Sequence, residues 1–232
     1  MAMERIILIE TSTALCSAAL AEDGSVTYYR ESDAMRSHAS LTAVFVDEML
    51  KERGISLKDV DAVCVSMGPG SYTGLRVGVS TAKGLCFGAK LPLLAVGTLD
   101  ILVHQAIAEG LVPEGCKYII PMVDARRMEV YSAVFTPDGK QVSETEAVII
   151  DENSFAQQRA EGPVLFIGDG AGKCEKVLGG EGMYFAQCCP KASAMLVPAI
   201  SEYKEKRFRD VAYLEPFYLK DFVATVSSKK LF

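Results

Sequence analysis

The hydrophobic pattern of the first half of the chain alternates between short apolar runs and longer segments of helical periodicity. The opening stretch RIILIETSTALCSAALAEDGSV predicts a strand that ends at Glu10, a polar turn, a second strand, and a turn at Asp23–Gly24. Strands are also predicted at 60–65 and 91–96, and helices at 37–53, 73–88 and 98–109. The predicted order β-β-β-α-β-α-β-α is typical of a mixed sheet flanked by helices.

The second half of the chain repeats this pattern. The stretch YIIPMVDARRMEVYSAVFTPDGKQV again predicts a strand ending at an acid, Asp124, then a polar turn, a second strand, and an Asp-Gly turn. The segment VLFIGDGAG also matches VCVSMGPGS, with Gly168 and Gly170 opposite Gly68 and Gly70. Parallels between short apolar strands arise by chance, so the residues alone leave duplication as a working hypothesis.

Duplication would give a two-lobed α/β protein with one mixed sheet in each half. We expect a first domain at residues 1–111 and a second, reduced domain at 112–232, divided where Pro113 and Gly115 interrupt the pattern. Strands are predicted in the second half at 117–124, 128–136, 141–150 and 164–168, and helices at 151–159, 171–178 and 192–207.

Composition narrows the class of protein. The chain has 232 residues, of which 50% are hydrophobic and 23% charged, as in soluble globular proteins. Its apolar runs are too short for a membrane crossing, and no leader pattern opens the chain, so we expect a cytoplasmic protein. A net charge of −6 argues against nucleic-acid binding through the overall field. Seven cysteines without Cys-x-x-Cys spacing favour reduced thiols over a disulfide framework or zinc site.

The glycine-rich stretch SMGPGSYTGLRVGVSTAKG raises the possibility of phosphate binding. It lacks the Gly-Lys-Ser/Thr end of a Walker loop and the third glycine of a dinucleotide-binding fingerprint. Ser71 and Thr73 stand where a helix begins, so they could either cap that helix or help to bind an anion.

The helix that follows carries two stripes of small residues. Gly74, Gly78 and Ala82 form one stripe, and Ser80, Gly84 and Gly88 form another about 120° away. A glycine inside a helix costs about 1 kcal/mol relative to alanine, so we expect close backbone packing on two sides. One side should be the sheet. The other could face a partner chain or lie beneath the second domain.

The preceding helix, residues 37–53, has apolar residues around more than half of its circumference, which exceeds the stripe needed for one-sided burial. The two helices are therefore a candidate interface with another protein. The predicted interface residues are His38, Leu41, Phe45, Met49, Gly74, Leu75, Gly78 and Ala82.

Candidates for catalysis are few. The two histidines, His38 and His104, lack metal-ligand spacing, so no metal site is expected. Glu10 and Asp124 stand at equivalent strand ends, where phosphotransferases of two lobes place catalytic acids. Neither following turn offers a glycine against which a phosphate could press, so we interpret the region as a vestigial nucleotide cleft. Its predicted residues are Glu10, Thr11, Ser12, Asp124, Gly168 and Gly170.

Four segments carry a resemblance to a known family: LIETSTALCSAAL, SMGPGSYTGLRVGVSTAKGL, VDARRMEVYSAVF and EPFYLKD. They resemble successive blocks of the TsaB (YeaZ) family, nearly throughout the chain and most strongly up to residue 110. The resemblance implies the actin, hexokinase and heat-shock ATPase fold, and a non-catalytic homologue of TsaD. TsaD transfers threonylcarbamoyl to adenosine 37 of tRNA. Family members usually have aspartate where Glu10 stands, which weakens any expectation of ATP chemistry in this chain.

The resemblance also implies partners. Similar proteins pair with TsaD through the first two helices, TsaE is an ATPase of the larger complex, and tRNA is reached only through that complex. The complex uses ATP, but no cofactor is expected to bind tightly to this chain, and a homodimer could form when the partner is missing. Two alternative functions remain open. The chain could be an independent ATPase or phosphotransferase that uses Glu10, Asp124 and residues 168–171. It could also be a peptidase, although no residues of the sequence favour that function.

Overall fold

The structure, a computed structural model, describes residues 4–33 and 38–219. Each predicted element of the first half is present, with ends that differ by up to two residues. In chain order these elements are β1 (Arg5–Glu10), β2 (Cys16–Glu22), β3 (Ser25–Ser32), α1 (His38–Arg53), β4 (Ala62–Ser66), α2 (Tyr72–Ala89), β5 (Leu93–Val96) and α3 (Thr98–Ala108). The side chains of residues 38–40 lie outside what the structure describes.

The elements of the second half are shorter. They are β6 (Tyr118–Asp124), β7 (Glu129–Ser132), β8 (Glu146–Ile149), α4 (Ala156–Glu161), β9 (Val164–Ile167), α5 (Ala171–Leu178), β10 (Met183–Ala186) and α6 (Leu196–Lys204). Short 3-10 helices lie at Leu57–Asp59 and Ala192–Met195.

The two five-stranded sheets have equivalent strand orders. The first is β3-β2-β1-β4-β5 and the second, read from its other edge, is β8-β7-β6-β9-β10. In both sheets the first strand of the half is central. It pairs with an antiparallel neighbour on one side and a parallel neighbour on the other. The predicted two-lobed α/β fold with a duplicated mixed sheet is therefore confirmed.

Two helices pack across the division of the chain. Leu99, Leu102 and Val103 of α3 belong to the core that contains Ile119 and Val123 of β6. Conversely, Met195 and Ala199 belong to the core formed with β1, β4 and β5. A division at residues 111 and 112 thus separates the two sheets, whereas α3 and α6 each pack on the sheet of the opposite half. We use "lobe" below for a sheet with the helices packed on it.

The predicted elements of the second half differ from the structure more widely than those of the first. The helix predicted at 151–159 begins only at Ala156, and the strands predicted at 128–136 and 141–150 are the shorter β7 and β8. The strand β10 was not predicted, because its four residues follow a glycine-rich loop and alternate too briefly to stand out. The predicted helix at 192–207 is a 3-10 helix followed by the shorter α6, which has Pro198 in its first turn. Proline is tolerated there because its missing N–H would have no partner within the helix.

Among the residues that the structure describes, no helix combines the length and the apolar character that crossing a membrane requires.

Candidate functional site

The turn that follows β1 is packed against the beginning of α2. The hydroxyl of Thr11 donates a hydrogen bond to the carbonyl oxygen of Gly74 at 2.8 Å, and the N–H of Ser71 donates to the carbonyl oxygen of Ser12 at 2.6 Å. Ser71 also caps α2, because its side chain accepts the N–H of Gly74. The hydroxyl of Thr11 and the N–H of Ser71 therefore already have partners within this chain.

Glycines make this close contact possible. An ideal Cβ at Gly74 would lie 2.0 Å from the carbonyl oxygen of Thr11, and one at Gly78 would lie 2.2 Å from the Thr11 hydroxyl. At Gly70 the distance to the carbonyl oxygen of Ser12 would be 2.3 Å. Of the two small-residue stripes of α2, the one formed by Gly74 and Gly78 thus packs within the N-terminal lobe.

Glu10 lies completely buried at the end of β1. Its Oε1 accepts the N–H of Ser12 at 2.5 Å, and no hydrogen-bond donor among the described residues reaches Oε2. Burial raises the pKa of Glu10 to about 7, although hydrogen bonds from Ser12 oppose that change. Glu10 is thus a buried carboxyl group, and its Oε2 has no hydrogen-bond donor among the described residues.

The predicted interface residues lie mostly inside the N-terminal lobe, which corrects the sequence-based assignment of its surface. Phe45 is 8% exposed and Met49, Leu75 and Ala82 are fully buried. Gly74 and Gly78 are buried as well. Leu41 is partly buried against the same core, and the side chain of His38 lies outside the described part. A partner on α1 or α2 would have to contact other residues of these helices.

The residues of α2 that do face outward form a nearly uncharged strip. We call Thr73, Arg76, Ser80, Gly84 and Phe87, spaced three or four apart, the outer face of α2. Phe87 is 82% exposed. A Cβ added at Gly84 would meet no atom within 4 Å, so the second stripe of small residues opens onto solvent.

A segment at the carboxyl end of the chain, residues 209–219, returns to the N-terminal lobe. We call it the strap. The N–H of Phe217 donates to the carbonyl oxygen of Met67 at 2.6 Å, and Lys83 of α2 donates to the carbonyl oxygens of Ala212 and Leu214. The sequence predicted no role for the strap, because its aromatic residues and Pro216 follow neither helical nor strand periodicity. The residues EPFYL of the fourth family block, 215–219, lie within it.

In the C-terminal lobe, Asp124 at the end of β6 is engaged by its neighbours. It forms an ion pair with Lys173 of α5, and its Oδ1 accepts the N–H of Arg126 at 2.9 Å. Lys173 also donates to the carbonyl oxygen of Glu129 at 2.6 Å. Asp124 is therefore already engaged by groups of this chain. Lys173 was not recognised from the sequence, because it lies 49 residues from Asp124.

The turn between β9 and α5 packs tightly on β6. A Cβ at Gly168 would lie 2.2 Å from the carbonyl oxygen of Met122, which also accepts the N–H of Gly170 at 2.9 Å. The N–H of Gly172 donates to Oε1 of Gln187 at 2.6 Å. These N–H groups are therefore already bonded within the chain.

The two halves of the predicted cleft remain separate sets of contacts. Within residues 4–33 and 38–219, no hydrogen bond or ion pair joins Glu10, Thr11 or Ser12 to the second set, which is Asp124, Gly168 and Gly170. The same described residues contain no group of three or more histidine, cysteine or acidic side chains that could hold a metal ion.

Comparisons with known proteins agree with this architecture. Residues 31–226 match the model of a family described as TsaD: tRNA N6-adenosine threonylcarbamoyltransferase. The chain is 33% identical over 230 residues to the tRNA threonylcarbamoyladenosine biosynthesis protein TsaB of Escherichia coli (strain K12), covering 95% of this chain and 96% of that one. This chain belongs to the TsaB (YeaZ) family. The resemblance read from its sequence blocks is confirmed.

Two solved structures share the fold of this chain. YeaZ from Pseudomonas aeruginosa superposes on this chain with a TM-score of 0.77 at 26% identity. The superposition covers 94% of this chain and 100% of that one. An inorganic polyphosphate/ATP-glucomannokinase from Arthrobacter sp. strain KM has a TM-score of 0.50 at 11% identity, covering 88% of this chain and 99% of the kinase. The second likeness shows the fold alone.

Proposed function

We propose that this chain is a non-catalytic subunit in the modification of tRNA adenosine 37 to threonylcarbamoyladenosine, and that it acts by forming a heterodimer with TsaD. The name of the Escherichia coli relative, a tRNA threonylcarbamoyladenosine biosynthesis protein, supports the pathway. The observation that carries the docking role is the outer face of α2, where the ring of Phe87 is exposed on a helix surface that has one charged residue, Arg76, and open space at Gly84.

That surface suits a helix of another protein. Phe87 offers a large apolar side chain of the kind that anchors protein interfaces. Gly84 and Gly88 leave open space beside it, since a Cβ at either position would meet no atom within 4 Å. A partner backbone could therefore approach α2 closely. Val44 of α1, the helix packed beside α2, is also exposed, at 43%.

The contacts at the ends of β1 and β6 favour a non-catalytic role for this chain. Asp124 is paired with Lys173, and the N–H groups near Gly168 and Gly170 are bonded within the chain. The turn after Glu10 is filled by α2. The proposal accordingly includes no tightly bound cofactor in this chain, with ATP used by the complex through TsaE.

Further parts of the proposal follow the family resemblance. We propose that the complex acts in the cytoplasm. We also propose that tRNA binds only to the assembled subunits. Without TsaD, two copies of this chain could pair through the same helices, because an exposed apolar helix face favours self-association when its partner is missing.

Reconstitution tests this function. Transfer of threonylcarbamoyl to tRNA is measured with TsaD and its other components, with and without this chain, and with this chain replacing TsaD. We expect product only when both subunits are present. Equal activity of TsaD without this chain would contradict the proposal. ATP turnover by the isolated chain that disappears in Asp124→Ala would instead favour the independent phosphotransferase.

A further inference from the structure

The strap changes the chemistry of the outer face of α2 at the end nearest its amino terminus. Tyr218 of the strap packs against Tyr72 of α2, with ring centroids 4.9 Å apart and planes inclined by 36°. The backbone hydrogen bond from Phe217 to Met67 holds this part of the strap in place. The pair of rings forms an aromatic platform beside Arg76.

Arg76 is held by that platform. Its guanidinium carbon lies 3.9 Å from the centroid of the Tyr72 ring, and its Nε donates a hydrogen bond to the hydroxyl of Tyr218 at 3.3 Å. Stacking on an aromatic face together with a hydrogen bond to Nε fixes the plane of the guanidinium. The two terminal amino groups form no hydrogen bond or ion pair with the residues that the structure describes.

Most other arginines in the described part of the chain are held differently. In most cases a carboxylate of the same chain pairs with the guanidinium. These arginines are Arg5, Arg30, Arg53, Arg207 and Arg209. Arg76 instead is exposed and is oriented by two tyrosines, so its forked end is presented without an acidic neighbour among the described residues. An arginine oriented in advance loses less side-chain freedom when it binds an anion.

We propose that Arg76, positioned by Tyr72 and Tyr218, binds a carboxylate of the catalytic subunit at the edge of the outer face of α2. This inference rests on the proposed function and assigns a role to the strap within it. The guanidinium and a carboxylate have matching geometry for two parallel hydrogen bonds. An aromatic and arginine pair on the same helix face as an exposed phenylalanine has the composition of a protein-interface hot spot.

A protein carboxylate fits this place better than a nucleic-acid phosphate. Nucleic-acid contacts normally use clustered basic residues. The only other basic residue within α2 is Lys83, and its ammonium group donates to the carbonyl oxygens of Ala212 and Leu214. The chain as a whole carries a net charge of −6. Arg76 therefore stands in aromatic and uncharged surroundings.

The test measures the dissociation constant between this full chain and its catalytic counterpart by titration calorimetry. Arg76→Ala should weaken binding by about 30-fold, the size expected for a hot-spot residue. Arg76→Lys keeps the charge but loses the fork, so it should still weaken binding about tenfold. Tyr218→Phe keeps the ring and removes only the hydroxyl, and should weaken binding by about threefold. Unchanged melting temperatures would show that each variant is folded.

The outcomes separate this inference from the function on which it rests. If the unaltered chain does not bind the catalytic subunit, the proposed function fails. If it binds, and Arg76→Ala binds equally well, only the present inference is overturned. Asp221, outside the described residues, provides a second check. Arg76→Ala and Asp221→Asn could lose equal stability while their affinity for the catalytic subunit stays unchanged. The carboxylate that pairs with Arg76 would then be that of Asp221 in this chain, and the inference would be overturned. Weaker tRNA binding by Arg76→Ala with unchanged protein affinity would also overturn it.

Discussion

The two lobes share a strand order but differ in how the end of the central strand is held. In the N-terminal lobe, the turn after β1 is covered by the backbone of α2, through glycines that no side chain could replace without displacement. In the C-terminal lobe, the end of β6 is held by an ion pair between Asp124 and Lys173 and by side-chain hydrogen bonds. Close glycine packing near the central strand is thus found in both lobes, at Gly74 and Gly168, whereas the exposed ion pair at the strand end is a feature of the C-terminal lobe.

The same comparison explains where a docking surface can arise. The helix α2 has 18 residues, whereas its equivalent α5 has 8. The side of α2 that carries Gly74 and Gly78 packs on the turn after β1. Because the helix is long, its outer face, which includes Phe87, remains exposed. The C-terminal lobe has no helix of comparable length among its described elements. Length and glycine content, rather than topology, distinguish the lobe that we propose for partner binding.

The largest effect should come from closing the gap between α2 and the turn after β1. Gly74→Ala would place a Cβ 2.0 Å from a backbone oxygen, which neither element can easily move to avoid. We expect the free energy of unfolding to fall by about 3 kcal/mol. Urea denaturation followed by circular dichroism would measure the change.

Gly84→Ala is the matched control in the same helix. No atom lies within 4 Å of its Cβ position, so the free energy of unfolding should rise by up to about 1 kcal/mol through better helix propensity. Similar effects of the two substitutions would contradict the distinction between the packed and open stripes of α2.

Glu10 should make the stability of the chain depend on pH. Burial raises the pKa of Glu10 from 4.5 to about 7, so the folded state favours the protonated form. The contribution of Glu10 to the free energy of unfolding should therefore be greatest below pH 4.5. It should fall as the pH rises towards 7. The loss should total about 3 kcal/mol.

Glu10→Gln should remove most of this decline, since glutamine stays neutral. Urea denaturation at pH 5 and pH 8 would compare the two chains, with Asp124→Asn as a control in the other lobe. If Glu10→Gln shows the same decline between these pH values as the unaltered chain, the buried carboxyl group is not its cause.

The smallest effect should come from the polar contacts of the C-terminal lobe. Lys173 and Asp124 have side chains that are 24% and 46% exposed, so solvent screens their attraction. Lys173→Met should lower the free energy of unfolding by less than about 1 kcal/mol. Thermal unfolding would detect it, and a loss as large as that of Gly74→Ala would mean that the two strand ends are held with similar strength.

Much of the fold could be predicted from the sequence because its strands end at recognisable turns. The acids Glu10 and Asp124 and the later Asp-Gly turns identified equivalent strands in both halves. The glycine stripes of α2 correctly indicated close packing on the sheet side. What the pattern could not decide was which stripe faces inward, because both consist of small residues at equal spacing.

The parts that were missed depend on contacts distant in sequence. Arg76 and Tyr218 are 142 residues apart, and Lys83 meets the strap 129 residues away. Periodicity within one segment carries no information about such contacts. The crossing of α3 and α6 to the opposite sheets has the same origin, since an apolar helix face does not specify which of two apolar sheets it will cover.

The central claim is that the outer face of α2 binds the catalytic subunit, and the mass of the mixture in solution tests it most directly. Phe87→Asp places a charge on this face, whereas Ile149→Asp changes an equally prominent apolar residue, 73% exposed, on β8 of the other lobe. Light scattering after size-exclusion chromatography should show a heterodimer for the unaltered chain and for Ile149→Asp, and separate subunits for Phe87→Asp. A heterodimer that forms undiminished with folded Phe87→Asp would contradict the account.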